Sequence, residues 1–259
     1  MIDIQSSGTN SRFRINSVGI NSIKYPFSVR LNSSESQRVV ADWDLSVSLE
    51  EGVRGTHMSR FIEFLSEIND QPVDLATFAD FAQQVKVKLQ SESAKIKASF
   101  DWFKEVSAPV SGKSALNDYR VSMESQVGAI NYNKVEITAA ATALCPCSKA
   151  ISDYGAHNQR SYITAELFFS ETAPKTDINQ IIEKLESSAS AKVYPLLKRE
   201  DEKYVTEEAY DNPTFVEDLV RNCAEKVSQI KGLQKFRIRV INRESIHNHD
   251  CYAEIDFSL

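Results

Sequence analysis

Strand-like alternation, then two adjacent helical stripes, then more alternation: this order occurs twice along the chain, and it limits the folds available. Ile20, Ile23, Tyr25, Phe27, Val29 and Leu31 mostly alternate across residues 19–31. Val39, Ala41, Leu45, Val47 and Leu49 do so across 39–49. A stripe of Phe61, Ile62, Phe64, Leu65 and Ile68 then predicts one helix. Leu75, Phe78, Ala82, Val85 and Leu89 predict a second over 74–89, and strands follow at 94–103 and 119–127. The second half predicts strands at 134–144 and 161–169, rich in β-branched and aromatic residues. A helix over 177–185 carries Ile178, Ile181, Ile182 and Leu185. Asn212-Pro213 reads as an N-cap with proline at the first helical position, opening a helix with Phe215, Val216, Leu219, Val220, Cys223 and Val227. Strands at 236–241 and 252–257 close the chain.

Helices that come in pairs, not between every two strands, argue for antiparallel sheets covered on one face. The expected class is α+β: a flexible tail over 1–12 and two fused modules, 13–128 and 129–259, each strand-strand-helix-helix-strand-strand. Such sheets expose long edges, and pairing between subunits would cover them, so a homo-oligomer is expected.

A net charge of −6 argues against general nucleic-acid binding, which needs a basic face. It leaves room for one anionic ligand in a local basic pocket. No apolar run approaches membrane-spanning length, since residues 135–145 are interrupted by Glu136 and threonines. The first eight residues lack a basic n-region and an apolar h-region, so no secretory signal is expected. One residue between Cys145 and Cys147 strains disulfide geometry. Cys223 and Cys251 lie in apolar patterns and read as core thiols. Together these features predict a reducing cytoplasm.

The chemistry concentrates at Cys145-Pro146-Cys147, with His157 ten residues on. Thiolate and imidazole are ligands that borderline divalent metals prefer. Two buried cysteines beside a surface histidine would look the same at this level. Pro146 is expected to start a short helix ending with Gly155 at C′. Cys147 then falls in the first turn, where backbone N–H groups lower a thiol pKa, and Cys145 sits just outside. Lys149 and Arg160 add local positive charge, although each alone is more often a solvated surface residue.

Other segments offer further groups. The mixed-charge run 198–203 reads as a solvated face from which Glu200 or Glu202 could turn inward. Glu217, early in the helix after Asn212-Pro213, suits a ligand with adjacent N–H donors, as on a guanine edge. Residues 244–250 read as a hairpin loop holding His247 and His249, either metal ligands or proton carriers, or else two exposed imidazoles. Gly55-Thr-His-Met-Ser-Arg60 precedes a helix, and a helix N-terminus beside an arginine can seat phosphate.

Taken together, GTHMSRF, ALCPCSKAISDYGAHNQRS, YPLLKREDEKYVTEEAYDNPTFVED and NRESIHNHDCYAEI resemble the prokaryotic type IB GTP cyclohydrolases over nearly the whole chain. The resemblance implies the tunnelling fold, whose modules associate through their sheets into barrels. It also implies a homo-oligomer, a tetramer by expectation, with active sites between subunits. The implied reaction converts GTP and water to 7,8-dihydroneopterin triphosphate and formate, the first step of tetrahydrofolate synthesis. Carried over by motif, Cys145, Cys147 and His157 match the catalytic and metal centre. Glu202 matches a carboxylate near the metal, Glu217 the guanine anchor, and His247 the histidine of the C-terminal hairpin. One divalent ion per site is implied, manganese, zinc or iron, held by Cys145, His157, Glu202 and His247, with Cys145 favoured over Cys147 as ligand. Arg60, Lys149 and Arg160 are the candidates for the triphosphate. No nucleic-acid or membrane partner is expected. Two rivals remain: a tunnelling-fold nitrile reductase with a nucleophilic cysteine, and a non-catalytic oligomer with a structural metal clip.

Overall fold

The computed structural model describes residues 8–30, 36–169 and 177–259. Residues 1–7 of the expected tail, and Leu31 at the end of the first expected strand, lie outside them. The chain begins with β1 (Ile15–Arg30), β2 (Ser36–Leu49), α1 (Ser59–Ile68), β3 (Pro72–Val73) and α2 (Leu75–Lys88). It continues through β4 (Ala94–Ser107), β5 (Ser114–Val127), β6 (Tyr132–Leu144), α3 (Pro146–Ile151) and β7 (Asn158–Phe169). Then come α4 (Ile178–Glu186), β8 (Ala191–Lys192), α5 (Arg199–Asp211), α6 (Val216–Ser228), β9 (Leu233–Arg243) and β10 (Cys251–Ser258).

Two compact units result. The first takes in the chain through Asp101, then Ser122–Val135 and the end of β7 from Phe168; the second takes in Trp102–Val121, Glu136–Leu167 and the remainder of the described chain. In the first, strands neighbour one another in the order β5-β4-β2-β1-β3. β1 and β2 are antiparallel, as are β2 and β4, whereas the short β3 runs parallel to β1. The β1–β2 register slips between Ile20 and Ile23. There Ser22 takes a left-handed φ of 56°, and its N–H goes to Asp44 Oδ1 at 2.8 Å.

Alternation works as expected in this unit, because one face of each strand is covered. Phe27, Val39, Ala41, Trp43 and Leu45 are buried with Phe61, Phe64 and Leu65 of α1 and Phe78 and Phe81 of α2. The rings interlock: Phe27 meets Trp43 edge-on at 5.0 Å, and Trp43 stacks on Phe78 at 6.0 Å. Asp74 caps α2 by accepting from the Thr77 N–H at 2.8 Å.

In the second unit the order is β10-β9-β7-β6-β5-β4, with β8 on β6. Ile163, Ala165 and Leu167 of β7 and Ile238 and Val240 of β9 are buried, as are Ile181, Ile182 and Leu185 of α4 and Leu219, Cys223 and Val227 of α6. Trp102 is wholly buried and donates its indole N–H to Asn179 Oδ1 at 3.0 Å.

The second half departs from the simple alternation in three places. The mixed-charge run becomes the start of α5, because Asp201 turns inward and is fully buried. Its carboxylate accepts from the N–H groups of Lys198, Val110 and Ser111 at 2.8, 2.9 and 2.8 Å, and from the Ser111 hydroxyl at 2.6 Å. Asn212 therefore ends α5 as its C-cap, and α6 starts later, at Val216 with Phe215 as N-cap. α3 also stops early, at Ile151, so Gly155 (φ +116°) sits in the turn beyond it and is not its C′ residue.

Candidate active site

Cys145 is the N-cap of α3, with Pro146 in the first turn, as the sequence predicts. Its backbone N–H donates to the carbonyl of His157 at 3.1 Å. Ser148 ties the two segments again. Its hydroxyl donates to the Cys145 carbonyl at 3.1 Å and accepts from the His157 N–H at 3.2 Å. Its own N–H approaches Cys145 Sγ at 3.5 Å. The thiol and imidazole are thus set by a six-residue helix and the turn after it, not by chance proximity.

Two further segments complete the arrangement. The Thr214 N–H donates to the Leu144 carbonyl at 3.0 Å, which holds the start of α6 beside Cys145. Glu217 lies in the first turn of that helix. The β9–β10 connection brings in Ser245, whose hydroxyl lies 3.2 Å from His157 Nδ1, leaving Nε2 as the ring nitrogen for other partners. On the same loop the rings of His247 and His249 stack at 5.1 Å.

These pieces line one cleft of about 310 Å³, whose walls include Cys145, His157, Glu217, His247, His249 and Cys251. Its volume sits at the small end of the range for ligand sites, about 300–1,000 Å³. Five of the residues singled out from sequence therefore meet: Cys145, His157, Glu217, His247 and His249. Cys251, expected in the core, is instead half-buried on the cleft wall. Burial, reinforced by its hydrogen bond to Glu244 Oε1 at 3.0 Å and by nearby Glu217, pushes its thiol up to about 12. Cys223 is the buried core thiol expected.

The other candidates stand elsewhere. Cys147 is exposed and is not on the cleft wall. Glu202 is exposed on α5 and does not line the cleft. Lys149 donates to the Tyr210 carbonyl, with its ammonium 4.2 Å from the centre of that ring. Arg160 lines a different cleft of about 300 Å³, with Tyr119, Arg120 and Tyr162. Arg60 belongs to the first unit, where its guanidinium donates to the Lys88 carbonyl at 3.2 Å.

Comparison with known proteins decides the family. A family model described as "Type I GTP cyclohydrolase folE2" matches residues 1–253. The chain belongs to this family. It is 43% identical over 258 residues to the GTP cyclohydrolase FolE2 of Herminiimonas arsenicoxydans, covering 98% of this chain and 96% of that one. It is 42% identical over 257 residues to that of Bordetella pertussis (99% and 96% covered) and 42% over 255 residues to that of Methylococcus capsulatus (98% and 94% covered). In fold it is similar to uricase from Arthrobacter globiformis, with a TM-score of 0.52, 8% identity, and 94% and 93% of the two chains covered.

The family resemblance implies a metal, and the donor chemistry of the cleft suits one. A thiol and two imidazoles on one wall are what zinc, iron or manganese accept in mixed sites. Among the described residues, no group of three or more His, Cys, Asp and Glu side chains is already arranged to hold an ion. No helix among them is long and apolar enough to cross a membrane.

Sequence reasoning missed Ser148, Ser245, Gln159 and Asn242. Only Ser148 had a local signal, since serine three residues after an N-cap can bond back to it. The rest depend on strand neighbours far apart in sequence.

Proposed function

We propose that this chain is a GTP cyclohydrolase that converts GTP and water to 7,8-dihydroneopterin triphosphate and formate, opening the first step of tetrahydrofolate synthesis. Family membership over nearly the full chain supports the activity. The single structural observation that carries the reading is the convergence of Cys145, His157, Glu217 and His247 on one cleft from four separate segments.

Cys145, His157 and His247 would hold one divalent ion, manganese, zinc or iron. That ion, when bound, supplies Lewis acidity that makes hydroxide available near neutral pH for attack on C8 of the guanine ring. Ser245 orients the His157 ring through Nδ1, so Nε2 is the nitrogen that either ligates or carries a proton to the opening imidazole. Glu217 accepts from the guanine N1 and N2 hydrogens, a bidentate, charge-assisted contact that disfavours adenine. Ile151, the last residue of α3, and Tyr154, just beyond it, are 85% and 101% exposed. Large apolar groups left bare there support closure of the site by a second subunit, in a homotetramer whose sheets pair into barrels. Arg60, Lys149 and Arg160 are the proposed triphosphate contacts, which the assembly would bring to the site.

Incubation with GTP and manganese tests the proposal. Formate release and a fluorescent pterin after oxidation are expected. Intact GTP after exhaustive incubation with each of the three metals would discard it.

A further inference from the structure

Two buried amides on the cleft wall each leave one polar atom unpaired. Asn242 of β9 is 1% exposed, and Gln159 of β7 is 9% exposed. β7 and β9 are neighbours in the sheet, and both residues line the cleft that holds Cys145 and Glu217. Ser161, two residues along β7 from Gln159 and wholly buried, donates its hydroxyl to Asn242 Oδ1 at 2.6 Å. This fixes the amide and leaves Asn242 Nδ2 as the free donor. Neither Asn242 Nδ2 nor Gln159 Oε1 has a hydrogen-bond partner.

Such groups are costly. An unsatisfied buried donor or acceptor destabilises a fold, and most are paired. Leucine or methionine at Gln159 would avoid that cost, whereas at Asn242 it would strand the Ser161 hydroxyl. The two atoms are complementary, one donor and one acceptor, and their residues line the same cleft as Glu217. A heterocycle with a ring carbonyl next to N–H groups presents the matching pattern.

We propose that Asn242 and Gln159 are specificity-determining residues that read the base together with Glu217, an inference that rests on the cyclohydrolase reading above. Asn242 Nδ2 donates to the 6-oxo group of the purine. Gln159 Oε1 accepts from its exocyclic 2-amino group. The bonds missing in the free protein are made when the base enters, so the cost of leaving them unmade is recovered only by the correct ligand. A 6-amino purine would set donor against donor at Asn242.

The test uses the full-length protein. KM and kcat for GTP are measured, with inhibition constants for ITP, which lacks the 2-amino group, and for 2-aminopurine riboside triphosphate, which lacks the 6-oxo group and with it the N1 hydrogen. Asn242→Asp, which keeps the acceptor for Ser161, and Asn242→Leu should each weaken GTP and ITP about 3- to 10-fold and leave the 2-aminopurine nucleotide unchanged. Gln159→Leu should weaken GTP by a similar factor and leave ITP unchanged. It should also raise the thermal midpoint by about 2–4 °C, because it removes an unpaired acceptor. Variants that bind all three nucleotides as the parent does, or that lose all three equally, would overturn the assignment, as would a Gln159→Leu protein that melts lower. A parent protein that turns over no GTP would instead sink the functional reading, and this inference with it.

Discussion

The Cys145 N–H and the His157 carbonyl are joined by a 3.1 Å hydrogen bond, and the Ser148 hydroxyl bridges the same two residues from the other side. The thiol and the imidazole are therefore set before any ligand arrives, which is where catalytic preorganisation counts. Ser148→Ala removes both hydroxyl bonds while Cys145 and His157 stay in place. Each net bond is worth about 1 kcal/mol, so losing both should lower kcat/KM for GTP by up to about 30-fold and the thermal midpoint by up to about 4–8 °C. Steady-state kinetics beside a melting curve would check this.

Removal of Cys145 separates two kinds of metal site. Cys145→Ala should leave a folded protein without GTP turnover, as should treatment with a chelator, and added manganese, zinc or iron should restore only the chelated parent. A structural clip predicts the opposite: loss of the thermal transition in Cys145→Ala. Calorimetry with metal analysis distinguishes them.

Glu217 lies at the start of α6 on the cleft wall. Glu217→Gln keeps the shape but gives up the charge that receives the base's N–H groups. Charge-assisted bonds are worth about 1.5–3 kcal/mol, so GTP turnover should drop about 10- to 100-fold while metal content is unchanged. Unaltered kinetics would remove Glu217 from the site.

Two buried carboxylates should shape stability against pH in opposite directions. At Asp201 burial acts upward, but the hydroxyl and N–H of Ser111 and the N–H groups of Lys198 and Val110 outweigh it and hold the carboxyl below its ordinary value. Its stabilisation is thus full above the unfolded value of about 4 and is lost as pH falls through the folded one. At Glu186 burial dominates over the Tyr119 hydroxyl bond at 2.6 Å and raises the pKa. Its contribution is full below the unfolded value of about 4.3 and fades as pH rises through the folded one. Asp201→Ala should lower the thermal midpoint at neutral pH and flatten its fall in acid. Glu186→Gln should gain on the parent as pH is raised from about 4 to 7. Melting curves across that range test both signs.

Much of the fold was legible because one-sided burial writes its period into the sequence. β2 alternates because Val39, Ala41, Trp43 and Leu45 share a covered face, and α4 shows helical spacing because Ile178, Ile181, Ile182 and Leu185 do. α5 was not legible. Eight of its thirteen residues are charged, which hides any apolar stripe, and the residue that anchors it, Asp201, bonds to a turn at Val110 and Ser111 some ninety positions earlier. Asn212 and Pro213 carried a helix-start signal that the end of α5 overrode.

The same division holds at the site. By itself the chain's sequence set the chemical inventory: a thiol and imidazole linked by a short helix and turn, a carboxylate opening a later helix, and histidines in a terminal hairpin. These are local features, governed by nearby backbone bonds and capping. Only the tertiary structure decided which of them share a cleft. It seated Cys145, His157, Glu217 and His247 together, left Glu202 and Cys147 off the cleft wall, and added Gln159 and Asn242 to that wall and Ser245 as a partner of His157. Strand neighbours such as β7 and β9 are chosen by long-range pairing and burial, and no spacing along the polypeptide encodes that choice.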